Sequence, residues 1–426
     1  MVLDGLLSEV APFAKGGSSL NDISSRYDSD NGSYEKPAPF RLQLGPILFL
    51  TGIFFLNFIA RIILAPLMPT IEKDLEVGHG EAGSLFLLIS SGYFISLLGA
   101  GLLSSHLTHR RTIVLSATTV GIVLFGISLS TSLWAIRLGL FMLGMAAGIY
   151  LPSGIATLTS LIAARHWGKG IAIHELAPNL SFVAAPLISE ALLPWLSWRE
   201  ILAVIGGASL VAGIVLARFG KGGKFAGEAP SFASFKSFLV RPAFWIMTAL
   251  FGLGISGSLG VYTMLPLYLV TERGLEQSWA NTLVACSRVS GLGMAFLAGW
   301  ATDRFGARGT MGRVFLLTGL MTVLLSIVPG DWIVVIIFLQ PMLGVCFFPA
   351  GFAALSRIGP SSARNVVVSL TIPLAFLLGG GAIPAAIGVM GDVASFALGI
   401  ALVGGLILTG SILSLYLKLP DNKQHV

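Results

Sequence analysis

The sequence predicts an all-α membrane protein with 12 transmembrane helices in two pseudo-symmetric six-helix bundles. Three observations carry that expectation: the composition, the apolar runs, and a repeat in which the second half echoes the first. The 426 residues are 55% hydrophobic and 11% charged, and the mean hydropathy is +0.87. Soluble domains carry about 25% charge. The 52 glycines and 20 prolines fit the same class, because both residues are commoner in membrane helices than in soluble ones.

A helix needs about 20 apolar residues to cross the hydrocarbon. Runs of that kind fall at 44–69, 81–104, 112–130, 134–162, 170–190, 200–217, 243–269, 279–300, 314–329, 332–355, 366–388 and 396–417. The third and fourth, and the ninth and tenth, are separated by only a few residues, which makes each pair a tight antiparallel hairpin. Lys and Arg collect in loops on the cytoplasmic side of membrane proteins. With the N-terminus placed in the cytoplasm, 20 of the 26 basic residues fall on that side and 3 (Lys73, Arg199, Arg273) on the other; Arg61, Arg137 and Arg288 lie within runs. Both termini are therefore expected in the cytoplasm, and the short loops suggest a bacterial inner (cytoplasmic) membrane. Arg137 lies near an outer helix end, where it is expected to snorkel to the interface.

The expected domains are a disordered cytoplasmic tail (1–43), a first bundle (44–217), a basic, Gly-rich cytoplasmic linker (218–242), a second bundle (243–417) and a short tail (418–426). The N-terminal segment is rich in Ser, Asp, Asn and Gly and has no apolar core of the kind a cleavable signal needs. Cys286 and Cys346 both fall in apolar runs and read as small packing residues rather than a disulfide.

The repeat has a shift near 200. Pro66-Leu67 followed by Glu72-Lys73-Asp74-Leu75-Glu76 matches Pro266-Leu267 followed by Glu272-Arg273-Gly274-Leu275-Glu276. Tyr150-Leu151-Pro152-Ser153-Gly154 matches Phe347-Phe348-Pro349-Ala350-Gly351. After the eighth run the chain reads Gly299-Trp-Ala-Thr-Asp303-Arg304-Phe-Gly306-Ala-Arg308. This loop resembles the G-x-x-x-D-R-x-G-x-R/K motif of the major facilitator superfamily. The first-half counterpart runs from Gly101 through Ser105, His106, Thr108 and His109 to Arg110 and Arg111, with Ser105 standing in place of Asp and Thr108 in place of Gly. That resemblance implies two bundles rocking about a site near the membrane midplane.

The candidate site residues are the polar groups that the apolar runs can least tolerate. Arg61 and Arg288 each sit inside a run, where an isolated cation costs roughly 3 kcal/mol on insertion scales. Such residues face a cavity or a partner. A guanidinium suits a carboxylate or phosphate because its planar fork can donate two parallel hydrogen bonds. Asn57 precedes Arg61 by one turn on the same face. Arg61, with Pro66, Pro69, Gly83 and Gly92-Tyr93, resembles the organophosphate and anion:cation symporter branches. Arg288 resembles the mid-eighth-span arginine of monocarboxylate and oxalate transporters. The resemblance implies that both bind an anionic substrate; structural salt bridges or carbonyl contacts are the alternative. Tyr93, Tyr150, Tyr262 and Gln340 are either substrate contacts or interhelical hydrogen bonds. His174 and Glu175, early in the fifth run, can titrate and are candidates for proton coupling or gating.

No phosphate-cradling loop ending in Lys-Ser/Thr is present, so neither an ATP drive nor an enzyme is expected. The histidines show no metal-ligand spacing within a run, and His106 and His109 read as a solvated loop, so neither cofactor nor metal is expected. The scattered basic residues exclude nucleic acid as a partner. A secondary active transporter of a small anion, in particular an organic carboxylate, coupled to protons or a counter-anion, is the leading reading. Drug efflux is weakened by the lack of acids in the first and fourth runs. A non-transporting sensor or scaffold of the same superfamily stays open. The expected partners are the solute and the lipid bilayer, with the chain acting as a monomer.

Overall fold

The computed structural model describes residues 40–227, 240–358 and 364–417. The tail expected to be disordered, the middle of the linker and the short C-terminal tail lie outside those residues. The described chain forms helices α1 (Phe40–Leu75), α2 (His79–His106), α3 (His109–Ser128), α4 (Leu133–Leu161), α5 (Ala164–Leu192), α6 (Trp198–Phe219), α7 (Pro242–Thr271), α8 (Gln277–Phe305), α9 (Ala307–Ile327), α10 (Trp332–Leu355), α11 (Val367–Val393) and α12 (Phe396–Tyr416). Eleven are long and apolar enough to cross a membrane. The other, α8, is 29 residues long and less apolar, since it carries Gln277, Asn281, Arg288, Asp303 and Arg304. Both α1 and α9 begin several residues before the apolar runs that announced them, because their first turns are polar.

Local chemistry sets several ends. Ser197 and Glu200 form a reciprocal capping box at the start of α6. Thr108 and Ser395 accept from backbone N–H groups at the starts of α3 and α12. Within α1 the helix is interrupted at Ile63. Pro66 brings no N–H to the Ile62 carbonyl and its ring crowds that group. In α7 and α11 the ladder widens into π-helical segments, Ser256–Gly260 and Leu377–Ala382, which pack on each other. Such bulges leave carbonyls off the regular pattern.

Glycine lets the helices of each bundle approach closely. A Cβ at Gly144 of α4 would lie 2.0 Å from the Ile89 carbonyl oxygen of α2, and one at Gly92 of α2 would lie 2.0 Å from that of Phe141. Gly121 and Gly206 bring α3 against α6, and Gly319 and Gly404 bring α9 against α12 in the same manner. The second pair repeats the first 198 residues later. Arg110 and Arg308 show the same internal symmetry. Arg110 donates to the carbonyls of Leu216 (2.9 Å) and Ala217 (2.8 Å) at the end of α6, and Arg308 to that of Leu415 at the end of α12. A cation at a helix C-terminus meets the negative end of the dipole.

The loop before α3 departs from the sequence expectation. His109 is buried, not solvated: its ring lies 4.8 Å from that of Phe225 and its Nδ1 is 3.2 Å from Ser153 Oγ. The chain after α6 folds back over this loop. His109 N donates to Phe225 O (3.0 Å) and Gly227 N to Ser104 O (2.7 Å). The first-half loop, with Ser105 and Thr108 in place of Asp and Gly, is thus covered by the start of the linker.

The two bundles meet tightly at the end of the molecule away from this linker. The carbonyl of Pro66 in α1 accepts from Gln277 (3.0 Å) and Asn281 (3.2 Å) of α8, and Asn281 also donates to Glu190 of α5 (2.6 Å). The Asp392 carboxylate of α11 accepts from the backbone of His79 and Gly80, at the start of α2, both at 2.8 Å. At the linker end, among the described residues, the second parts of α4 and α10 each pack within their own half. Residues Tyr150–Leu161 of α4 pack chiefly on α1, α2, α3 and α5, and Phe347–Leu355 of α10 chiefly on α7, α8, α9 and α11.

Candidate functional site: two buried arginines joined by aromatic rings

Arg61 reaches the meeting plane of the bundles just before the break in α1. It is 7% exposed. Its guanidinium carbon lies 4.6 Å from the ring centroid of Phe58, one turn earlier, and 4.4 Å from that of Tyr93 in α2. The surrounding hollow is lined from the other bundle by Leu259, Thr263, Phe376 and Gly380. The Tyr93 ring also meets Phe376 of α11, with centroids 5.5 Å apart. Arg288 of α8 has a matching setting, 4.9 Å from the Phe182 ring of α5 and 4.6 Å from the Tyr262 ring of α7. Its Nη2 donates to the Ser258 carbonyl (2.9 Å), one of those displaced by the π-helical segment.

Aromatic rings connect the two cations. Phe58 meets Phe182 edge-on at 5.3 Å, and Phe182 meets Tyr262 edge-on at 4.9 Å. A cation over a ring face gains about 0.5–2 kcal/mol, which offsets part of the burial cost without using the in-plane N–H groups. Among the described residues neither arginine forms an ion pair, and the buried Nε of each has no hydrogen-bond partner. The site is therefore cationic and apolar-walled, with an unused Nε donor on each guanidinium. Those are the properties a carboxylate- or phosphate-sized anion requires.

The other sequence candidates divide by placement. Tyr93 and Tyr262 form the walls just described. The Tyr262 hydroxyl donates to Phe182 O at 3.3 Å. Asn57 turns into its own bundle, donating to Ala147 O (3.2 Å) and Ser116 Oγ (3.4 Å). Gln340 donates to Gly257 O (2.8 Å) and Thr322 Oγ1 (3.2 Å), so its amide supports the π-helical segment that holds Arg288. Tyr150 and His174 are fully buried on the linker side of Phe54, and Glu175 next to them is exposed. Arg137 lies at the closed end, over the Trp134 ring and paired with Glu81 at 2.6 Å.

Phe58 and Phe182 were missed by the sequence reading. In a chain with 27 phenylalanines nothing marks Phe182 as special. Phe58, at i−3 from a span arginine, did carry a signal, since residues three apart share a helix face. The polar latch of Gln277, Asn281 and Glu190 was missed as well.

Two six-helix bundles, closed at one end over a buried cationic centre and parted at the other, define a membrane transporter fold. Residues 50–295 match the model of the Major Facilitator Superfamily, and the chain belongs to that superfamily, whose members are transporters rather than enzymes. The chain is 23% identical over 345 residues to the membrane sensor protein UhpC of Escherichia coli K12, covering 75% of this chain and 77% of that protein. It is 28% identical over 183 residues to the inner membrane metabolite transport protein YdjE of the same organism, covering 43% of this chain and 38% of that one. Among solved structures, a bacterial homologue of the human lysosomal transporter Spinster, inward-facing and occupied, superimposes with a TM-score of 0.74 at 15% identity, covering 89% of this chain and 97% of that one. A POT family transporter in complex with 5-aminolevulinic acid superimposes with a TM-score of 0.72 at 14% identity, over 90% and 96% of the two chains. At such identities the structural likeness concerns the fold alone.

Proposed function

We propose that this chain is a secondary active transporter that carries a small anion, in particular an organic carboxylate, with Arg61 and Arg288 as the binding pair. One observation carries the reading: two guanidinium groups are buried between aromatic rings at the bundle interface, with unused donors and no paired acid among the described residues. A cationic solute would need carboxylates there. The conformation then corresponds to a state closed to the outside and open to the cytoplasm, with both termini cytoplasmic, as the distribution of basic residues favours. Tyr93 and Tyr262, holding the two guanidinium planes, set the width of the slot. Exchange of the closed and open ends about this site is alternating access.

A second reading is favoured by the match to a protein named as a membrane sensor. In it the same anion binds the same arginines, and the chain reports occupancy without completing the cycle.

Thermal stability of the purified protein separates these from efflux. Selective binding stabilises the folded state by mass action. Against mono- and dicarboxylates, sugar phosphates, inorganic phosphate, nitrate and lipophilic cations, one anion class is expected to raise Tm, and Arg61→Ala or Arg288→Ala to remove the shift. A shift by lipophilic cations alone, or one unchanged in both variants, overturns the anion site. Counterflow exchange of the stabilising anion in proteoliposomes then distinguishes carrier from sensor.

A further inference from the structure

The linker side of the first bundle holds a hydrogen-bond chain whose protons can be counted. Tyr150 Oη lies 2.9 Å from the Leu50 carbonyl oxygen and 3.0 Å from His174 Nε2. A carbonyl only accepts, and a phenol has one proton to give. Tyr150 therefore donates to Leu50 O and accepts from His174, which fixes a proton on Nε2. The other ring nitrogen, Nδ1, lies 3.3 Å from Glu175 Oε1. A neutral imidazole protonated at Nε2 presents a lone pair at Nδ1, and a carboxylate presents another. The contact is attractive only when one further proton lies between them, either on the imidazole or on the carboxyl group. Stacking locks the ring: His174 lies flat on Phe54, centroids 4.4 Å apart, with its plane parallel to that of Tyr150. Flipping the imidazole to evade the restriction would break both hydrogen bonds.

The pair has an exit for its proton and a path to the anion site. His174 is fully buried, whereas the Glu175 side chain is 48% exposed where the bundles part. Phe54, on which His174 stacks, meets Phe58 edge-on at 6.4 Å, and Phe58 in turn covers Arg61. The groups facing His174 from neighbouring elements are few. Tyr150 comes from α4, Phe54 from α1 and Glu175 from α5 itself, and no contact brings Lys169, Arg165 or His166 of α5 against it among the described residues.

We propose that His174 and Glu175 together hold one exchangeable proton, with Tyr150 fixing the imidazole tautomer, and that this proton travels with the anion. The inference rests on the reading of Arg61 and Arg288 as the anion site. With the proton present the pair is neutral overall. Without it the pair carries one negative charge beside Phe54, two helical turns of α1 from Arg61, which opposes a second anion. Proton and anion therefore bind together, and the transport mode is symport. The repeat does not reproduce the chain in the second bundle, since Phe347, which has no hydroxyl, stands where Tyr150 does.

Two measurements on the full-length protein test this. The first needs no substrate: nitrogen-15 histidine spectra in lipid nanodiscs between pH 5 and 9. The expected result is a His174 that is protonated at Nε2 throughout the range, with an Nδ1 resonance that moves when Glu175→Gln removes the shared proton. A His174 protonated only at Nδ1, with Nε2 bare, overturns the proposal. The second uses proteoliposomes with L-lactate and inorganic phosphate as probes and an imposed pH gradient. Glu175→Gln, whose amide can donate to Nδ1 without titrating, is expected to keep counterflow exchange and lose several-fold gradient stimulation; His174→Gln is expected to do the same if it folds. Wild-type stimulation in Glu175→Gln overturns the coupling role. Failure of the anion site itself shows separately, as exchange retained in Arg61→Ala.

Discussion

The two bundles share a scaffold and differ in where that scaffold carries polar chemistry. Phe54 and Tyr150 of the first half correspond to Phe251 and Phe347 of the second, both at a shift of 197. In the second half these rings form an all-hydrocarbon cluster, Phe251 and Phe347 meeting edge-on at 5.1 Å, with Phe315 beside Phe347 at 5.0 Å. In the first half the pair stacks at 5.2 Å, and one hydroxyl and one imidazole convert the cluster into a hydrogen-bond chain. The arginines are equally unequal. The repeat mate of Arg61 is Val261, and that of Arg288 is Ser90. Duplication therefore supplies the packing, and each half contributes one cation from a different helix. Glycine contacts and helix-end arginines obey the repeat because packing depends on backbone geometry, which both halves share. A binding site for an asymmetric solute has no such reason to repeat.

Several substitutions would break or sharpen this contrast. The largest effect is expected at the arginines. Truncating one partner of a buried, hydrogen-bonded charge pair costs about 2–5 kcal/mol, so Arg61→Ala should weaken anion binding by roughly 30-fold or more. Arg288→Ala should cost stability as well, because its Nη2 also holds the Ser258 carbonyl; ligand titrations and unfolding midpoints measure the two losses.

Next are the glycine contacts. Gly144→Leu forces α4 away from α2, and overpacking costs about 1–3 kcal/mol. Gly121→Leu and Gly319→Leu should destabilise their own bundles to similar extents, which melting in detergent can compare. If one of this pair is tolerated and the other is not, the packing symmetry is weaker than the repeat implies.

The aromatic clusters give the most direct exchange of chemistry between halves. Phe347→Tyr would bury a hydroxyl among rings, and an unsatisfied buried group costs about 1–3 kcal/mol. Tyr150→Phe loses the hydroxyl that orders His174, with a smaller stability loss and an altered pH profile of transport. Smallest are the helix-end cations: Arg110→Ala and Arg308→Ala should each cost about 0.3–1 kcal/mol, read as small, matching shifts in Tm.

Much of this was legible in the chain. Length and hydropathy of the runs define the helices, and the repeat, with shifts of 197 to 200, places Arg61 and Arg288 in different halves. The two arginines stand out because a cation in an apolar run demands a physical explanation. What could not be read is which way a side chain turns. Asn57 shares a helix face with Arg61 by spacing, yet it serves Ala147 O, because α4 packs against α1 at that level. His109 looked solvated because the covering Phe225 is over 100 residues away in sequence. The aromatic bridge through Phe182 depends on a contact between α1 and α5 that no local pattern encodes.

The central claim is that two guanidiniums act as one anion site, and a double-mutant cycle tests it most directly. Dissociation constants for the stabilising anion would be measured for wild type, Arg61→Ala, Arg288→Ala and the double variant. Residues that serve one ligand jointly show losses that do not add. The expected result is a large loss in each single variant and little further loss in the double. Wild-type affinity in either single variant would contradict the account.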